Sequence, residues 1–438
     1  MLEELILALG SGRGGVFRHV LGCSWCRSRY HYLPRPEDAP DEPEGGGLSL
    51  YGATFDRARE EARGWSAALD RERGAAPDLF VELLESPAEA REALLLQERF
   101  QTWGVFELLV ERSWEVTIPD AAHAEELGLL ALHLAGRLDA ERYGAALIED
   151  LRARAWAYVA NACRSRSDLA GAEEAFGKAR EHLGKGTGDR LESAILLDLE
   201  ASLRRDQRRF GEALTMLERA VSVFLRFGDR PRAGRSLVKV ATVHDYAGDP
   251  ANSIPVLYQA LDLIDAEEDP RLLLCAKHNL IFVLADLGRF EEAHNLYRET
   301  RALYRSFGEP WVQNRRQWVK AKIARGVGQP ERAERLFLAA RDGFLAEDVP
   351  YDTALVSLEL ATLYAEQGRA AELKRLAAEM MPVFTSRQIH REALAALAFF
   401  QQAAEAERAT LHMVAEVATY LRRAQHDPGL RWEAGGRG

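Results

Sequence analysis

The chain repeats itself every forty residues, and no other feature restricts its fold as much. Gly248, Gly288, Gly328 and Gly368 stand at that interval, Arg208 lies forty residues before Gly248, and Ser167 lies forty-one before Arg208. Four of the segments that begin at these points read RRFGEALTMLERA, GDPANSIPVLYQA, GRFEEAHNLYRET and GQPERAERLFLAA. Repeats of this size are single helix–turn–helix units that bury their apolar faces only by stacking on one another. Seven residues before each turn stand Ala160, Ala201, Ala241, Ile281, Ala321 and Ala361. Five after it stand Ala172, Ala213, Ser253, Ala293 and Ala333, and nine after it Phe176, Leu217, Leu257, Tyr297 and Phe337. Twelve after it come Ala179, Ala220, Ala260, Thr300 and Ala340. Small side chains on either side of a large one let two helices approach and seat a knob between them.

This pattern resembles tetratricopeptide repeats, most clearly over AWAYVANACRSRSDLAGAEEAFGKA (residues 155–179), with Trp156, Ala160, Ala172, Phe176 and Ala179 in place. The resemblance covers roughly residues 121 to 425. It implies an all-α, right-handed superhelical solenoid and a protein-binding role. The period of forty exceeds that family's thirty-four, so longer helices or junctions are expected. The last unit places Leu373, Ala377 and Met380 at the diagnostic positions and reads as a degenerate, capping repeat. Residues 51–120 read as a helical region without repeat register. The Pro-, Gly- and acid-rich stretch within 33–50 reads as a flexible linker, 1–32 as a small helical head, and 426–438 as a disordered tail. KGTGD (185–189) reads as an inter-repeat turn with Asp189 capping the next helix, because no strand precedes it and no GK[ST] follows.

The formal net charge of −11 argues against broad nucleic-acid binding, which needs cations to neutralise phosphates. No apolar run has the length of a membrane span, and the first residues lack the features of a signal peptide. Of the four cysteines, Cys163 and Cys275 fall within helical patterns and read as inert core thiols. A reducing, cytoplasmic setting is expected.

The other two cysteines lie in FRHVLGCSWCRSRYHY. His19, Cys23 and Cys26 would share one side of a helix, and His31 follows within reach, a donor set suited to tetrahedral Zn²⁺. The spacing is similar to the H-x3-C-x2-C signature of zinc-binding anti-sigma domains, which hold a bacterial sigma factor away from polymerase. That resemblance covers about thirty residues and implies one structural zinc and a transcription component as partner. The segment upstream of His19 supplies no further obvious ligand.

In tetratricopeptide stacks the first helix of each pair lines the ligand groove. Positions thirteen, nine, six and two before the turn share one helical face, flanked by ten and three. These positions hold Arg154, Tyr158, Asn161 and Arg164, then Asp198, Ser202, Arg205 and Asp206, then Arg235, Lys239, Thr242, Asp245 and Tyr246. His278, Asn279, Phe282 and Asp286 follow, then Arg315, Trp318, Lys322 and Arg325. The set contains eight Lys or Arg against four Asp in an acidic chain. Relatives of this family grip a partner's terminal carboxylate with Lys, Arg and Asn, so Lys239, Asn279 and Lys322 point to an acidic or carboxylate-ended peptide. Tyr158, Phe282 and Trp318 are read as rings on that solvent face, where apolar groups mark a contact surface. There is no GxSxG, no P-loop and no HExxH, and no paired acids sit in an apolar run, so the reading is not enzymatic. A scaffold holding a protein segment is the leading expectation. A zinc-headed transcription regulator with a solenoid sensor comes second. Third is a peptide-sensing receptor, although residues 1–50 lack the helix-turn-helix pattern usual in that class.

Overall fold

The turn within each repeat is made the same way. Ser167, Arg208, Gly248, Gly288, Gly328 and Gly368 have left-handed backbone, with φ of 65°, 59°, 84°, 74°, 74° and 69°. The residue after each donates its N–H to the carbonyl five residues back: Asp168 to Cys163 (3.0 Å), Arg209 to Arg204 (2.8 Å), Asp249 to His244 (2.9 Å), Arg289 to Leu284 (2.8 Å), Gln329 to Ala324 (2.8 Å) and Arg369 to Tyr364 (2.9 Å). This is the Schellman closure, which satisfies the last carbonyls of a helix and turns the chain sharply. It explains why Ser167 and Arg208 occupy the glycine register. A second series, at Gly188, Gly228 and Asp348 (φ of 76°, 70° and 57°), lies where one repeat hands over to the next.

The computed structural model describes residues 52–117, 120–386, 410–424 and 430–432, together with 397, 400, 401 and 404. The expected zinc ligands, the linker and most of the tail lie outside them. All regular elements among the described residues are helical, so the all-α repeat fold is as expected. They are α1 (Gly52–Glu85), α2 (Ala88–Leu94), α3 (Trp103–Val116), α4 (Ala121–Ala135), α5 (Ala140–Tyr143), α6 (Ala145–Ser165), α7 (Leu169–Lys185), α8 (Arg190–Asp206) and α9 (Phe210–Arg226). There follow α10 (Arg230–Tyr246), α11 (Pro250–Leu263), α12 (Pro270–Asp286), α13 (Phe290–Arg305), α14 (Pro310–Gly326), α15 (Pro330–Ala346), α16 (Pro350–Glu366), α17 (Ala370–Ser386) and α18 (Leu411–Ala424). Proline opens five of these helices, where its missing N–H costs nothing and its fixed φ suits the first turn. No described helix is long and apolar enough to cross a membrane.

The chain divides into two compact units: one runs to Leu203 and includes Arg226–Asp229, and the other comprises Arg204–Leu225 and everything from Arg230 on. In the first unit, α1, α3 and α5 meet at Glu72. Its carboxylate accepts the Trp103 N–H at 2.8 Å and the Tyr143 hydroxyl at 3.0 Å, and pairs with Arg142. An acid therefore sits at the positive end of α3. Next to it Gly104 lies so near the Glu72–Arg73 backbone that a β-carbon would collide with it. Farther along, the KGTGD segment is a turn, as expected, and Asp189 accepts the Leu191 N–H at 2.7 Å. Thr187 donates its N–H (3.1 Å) and hydroxyl (2.6 Å) to buried Asp150, whose carboxyl burial pushes up to about 6.

In both units the small–large–small series is buried: Ala172, Phe176 and Ala179 in the first; Ala213, Leu217 and Ala220, then Ala333, Phe337 and Ala340, in the second. Ser253 replaces alanine without loss because its hydroxyl donates to the Ala241 carbonyl at 2.9 Å. One expectation fails here. Cys163 is buried, but Cys275 is exposed. It stands thirteen residues before Gly288, in the register of Arg154, Arg235 and Arg315, and so faces outward with them.

Candidate functional site

In the second unit, α10, α12, α14 and α16 present the register that the sequence assigns to ligand contact. Its positions divide by how far they lean toward the partner helix. Lys239, Asn279 and Phe282 are half-buried, and Cys275 is open. The positions ten before the turn lean into the repeat and become core. His278 is buried, with Nδ1 2.7 Å from the Tyr304 hydroxyl, and burial together with the Arg315 charge lowers its pKa to about 3. Trp318 is only 4% exposed, which corrects its assignment to a solvent face. Its ring packs edge-on against Phe282 at 5.1 Å and Phe344 at 5.9 Å. Phe282 itself bridges core and face, with Lys322 Nζ 4.8 Å from its ring centre.

The cation excess read from the sequence is largely neutralised within the fold. Arg154 pairs with Glu192, Arg235 with Asp269 at 2.9 Å, and Arg315 with Asp352 at 3.0 Å. All three bonds run from an arginine thirteen before the turn to an acid at the start of the next repeat's first helix. They tie successive repeats together. An arginine in that register with an acid thirty-four to thirty-eight residues later is a signal visible in the sequence that a single-face projection misses. Arg205 pairs with Asp206 at 2.6 Å and lies over the Tyr246 ring at 5.5 Å. In the first unit, Asn161 is buried and its side-chain oxygen accepts from Arg164 at 3.0 Å, while Tyr158 packs edge-on to Trp114 at 6.1 Å. Neither Asn161 nor Trp318 therefore offers its side chain to solvent.

The strongest electrostatic feature is a carboxylate–cation network at the α12–α14–α16 end. Lys322 Nζ stands 2.5 Å from both Asp286 Oδ1 and Glu359 Oε1. Arg325 reaches Glu359 at 3.0 Å and Glu366 at 2.8 Å. Glu359 is 7% exposed, and Lys322, Arg422 and Arg325 hold its carboxyl well below the usual range against the opposing effect of burial. Asp245 moves the other way: the surrounding protein and the negative Asp286 raise it. The network walls a recess of about 350 Å³ lined by Ala285, Asp286, Gly288, Phe290, Lys322, Arg325, Gly326, Glu359 and Glu366. Gly326 leaves room for the Phe290 ring, which a β-carbon there would strike. Glu359, Glu366 and Phe290 were missed by the sequence projection, the first two because it stopped at the fifth repeat.

No family model and no curated protein sequence matches the chain. Among solved structures it is similar to a Rap protein crystallised in complex with Competence and Sporulation Factor, at 13% identity and a TM-score of 0.54, covering 73% of this chain and 92% of that one. It is also similar to aspartyl phosphate phosphatase F from Bacillus subtilis, at 14% identity and a TM-score of 0.51, covering 88% of this chain and 92% of that one. At such identities the likeness is one of fold alone, a helical-repeat architecture.

Proposed function

We propose that the chain is a non-catalytic binder of a peptide or protein segment, and that the ligand lies along the α10–α16 face of the second unit. The observation that carries this reading is the recess walled by Asp286, Lys322, Arg325, Glu359 and Glu366, continuous in register with half-buried Lys239 and Asn279 and exposed Cys275. A polar recess in an otherwise close-packed helical array has little use in stability, since buried ion pairs are weak stabilisers. The Rap protein of similar fold was crystallised with a bound factor, which supports a ligand-binding use of such solenoids by analogy. An acidic or carboxylate-ended peptide fits this reading if its carboxylate replaces Glu359 or Asp286 at Lys322. The test is selection from a displayed peptide library on the full chain, followed by Lys239→Glu and Asn279→Ala with helicity checked. At least tenfold weaker binding of the selected peptides is expected. Equal binding by both variants would place the ligand elsewhere.

A second reading rests on His19, Cys23, Cys26 and His31 alone: a zinc-stapled head that recruits a transcription component such as a sigma factor, in the cytoplasm. Its support is the ligand spacing. Zinc content of the purified chain, with and without Cys23→Ser and Cys26→Ser, tests it. About one zinc per chain, lost in the variants, is the expected result, and a metal-free chain under reducing conditions removes the reading.

A further inference from the structure

Helix α16 breaks the pattern of its neighbours. Thirteen residues before the turn, α10 and α14 carry Arg235 and Arg315, but α16 carries Leu355, which is buried. Nine before the turn, α10 and α12 carry half-buried Lys239 and Asn279, whereas α14 and α16 carry buried Val319 and Glu359. Twelve of its residues are buried, enough to cover all sides, so something lies over the face that α10 and α12 leave partly open. That cover is α18. It packs on α16, and its Val414, Val417, Leu421 and Ala424, at helical spacing, join the same apolar cluster as Leu355. Its polar end reaches farther. Arg422 stands 3.1 Å from Glu359, and its charge is felt by Asp286 on α12 and Asp245 on α10. Arg208, in the turn before α9, donates at 3.3 Å to the Arg423 carbonyl.

We propose that α18 is an internal occupant of the ligand face: the chain's own C-terminal helix seats on α16, and Arg422 engages the carboxylates at the recess, so that seating of α18 and entry of a partner at the Glu359 end exclude each other. This rests on reading the α10–α16 face as the ligand site and adds its regulation. The apolar half of α18 supplies affinity. The Arg422–Glu359 contact, 41% exposed on the arginine side, supplies the part that an incoming charged group can displace. Because α18 belongs to the same chain, a free ligand must compete with an intramolecular one.

The test uses the full chain and a fluorescein-labelled synthetic peptide of residues 410–424. In the native chain the tethered copy excludes micromolar peptide. In Arg422→Glu the tethered helix faces Glu359 with like charge while the added peptide keeps its arginine, and at least tenfold tighter peptide binding is expected. Amide exchange over 411–424 should quicken at least tenfold in the same variant and slow again when Glu359→Arg is added to re-pair the charges. Equal peptide binding in native and variant chains, with unchanged exchange in α18, would make α18 a fixed cap and overturn the proposal. Should Arg422→Glu lose helicity, Arg422→Gln carries the same comparison. Because the probe is the chain's own segment, failure to find an external ligand leaves this result unaffected.

Discussion

His278 makes the second unit sensitive to acid, by an amount the structure sets. The imidazole is buried on α12 beneath the ligand face, against the Tyr304 hydroxyl. Its pKa falls from 6.5 to about 3, mainly through burial and secondarily through Arg315. Unfolding returns the ring to water, where it takes up a proton below about pH 6.5. Between that pH and about 3 the unfolded chain binds one proton more than the folded one, so stability rises with pH across this window and is complete above it. At 1.36 kcal/mol per pH unit, a drop to pH 5 costs about 2 kcal/mol. The comparison that isolates this is urea unfolding of the native chain and His278→Gln at pH 7.5, 6 and 5, followed by far-ultraviolet circular dichroism and tryptophan fluorescence. Glutamine can still hydrogen-bond Tyr304 but does not titrate. The native chain should lose about 2 kcal/mol more than the variant between pH 7.5 and 5. Parallel losses in the two would refute the claim that His278 is held neutral by burial. Arg315→Met should remove only the smaller part of the difference, because burial is the larger cause.

Other residues give sharper local tests. Gly104→Ala drives a methyl into the Glu72–Arg73 backbone, which cannot yield as a side chain can, and should lower stability by about 1–3 kcal/mol in thermal or urea unfolding. Ser167→Gly relieves a left-handed, non-glycine turn at an exposed site and should raise stability by roughly 1 kcal/mol. Glu359→Gln removes one carboxylate from buried Lys322 but leaves Asp286, so the cost should fall below the roughly 3–5 kcal/mol of a fully orphaned buried charge. In a Cys23→Ser, Cys26→Ser background, maleimide should label Cys275 in the folded chain and leave Cys163 untouched until urea is added. Labelling of both at equal rates would contradict the register that turns Cys275 outward.

The repeat was legible because it rests on backbone requirements that few residues meet. A left-handed turn calls for glycine, and a close helix crossing calls for alanine, so Gly248 to Gly368 and Ala160 to Ala361 announce themselves. The face was half legible. Periodicity places Lys239, Asn279 and Lys322 on one side of their helices, but it does not say how deep that side is covered. His278 lies one residue from half-buried Asn279 and Trp318 one residue from half-buried Gln317, yet both belong to the core, because Tyr304 and Phe344 on the following helices come to meet them. Counting cations on one helix face also overstated its positive charge, since the neutralising acids Asp269, Asp352 and Glu359 belong to the next repeat.

Those inter-repeat pairs bear on how the second unit could respond to a ligand. Each stretches from one first helix to the next, so the charges that line the face are also the ones that fix the spacing between repeats. A ligand group that takes Lys322 or Arg325 from Glu359 therefore loosens a tie between α14 and α16 in the act of binding. It must supply an equivalent partner, because a buried ammonium left without one is costly. This favours ligands that replace a charge over ligands that merely cover it. It also gives Arg422 its particular place: seated on Glu359, it completes the same network from the chain's own C-terminal helix, and the network as a whole stays matched in charge only while that helix is home.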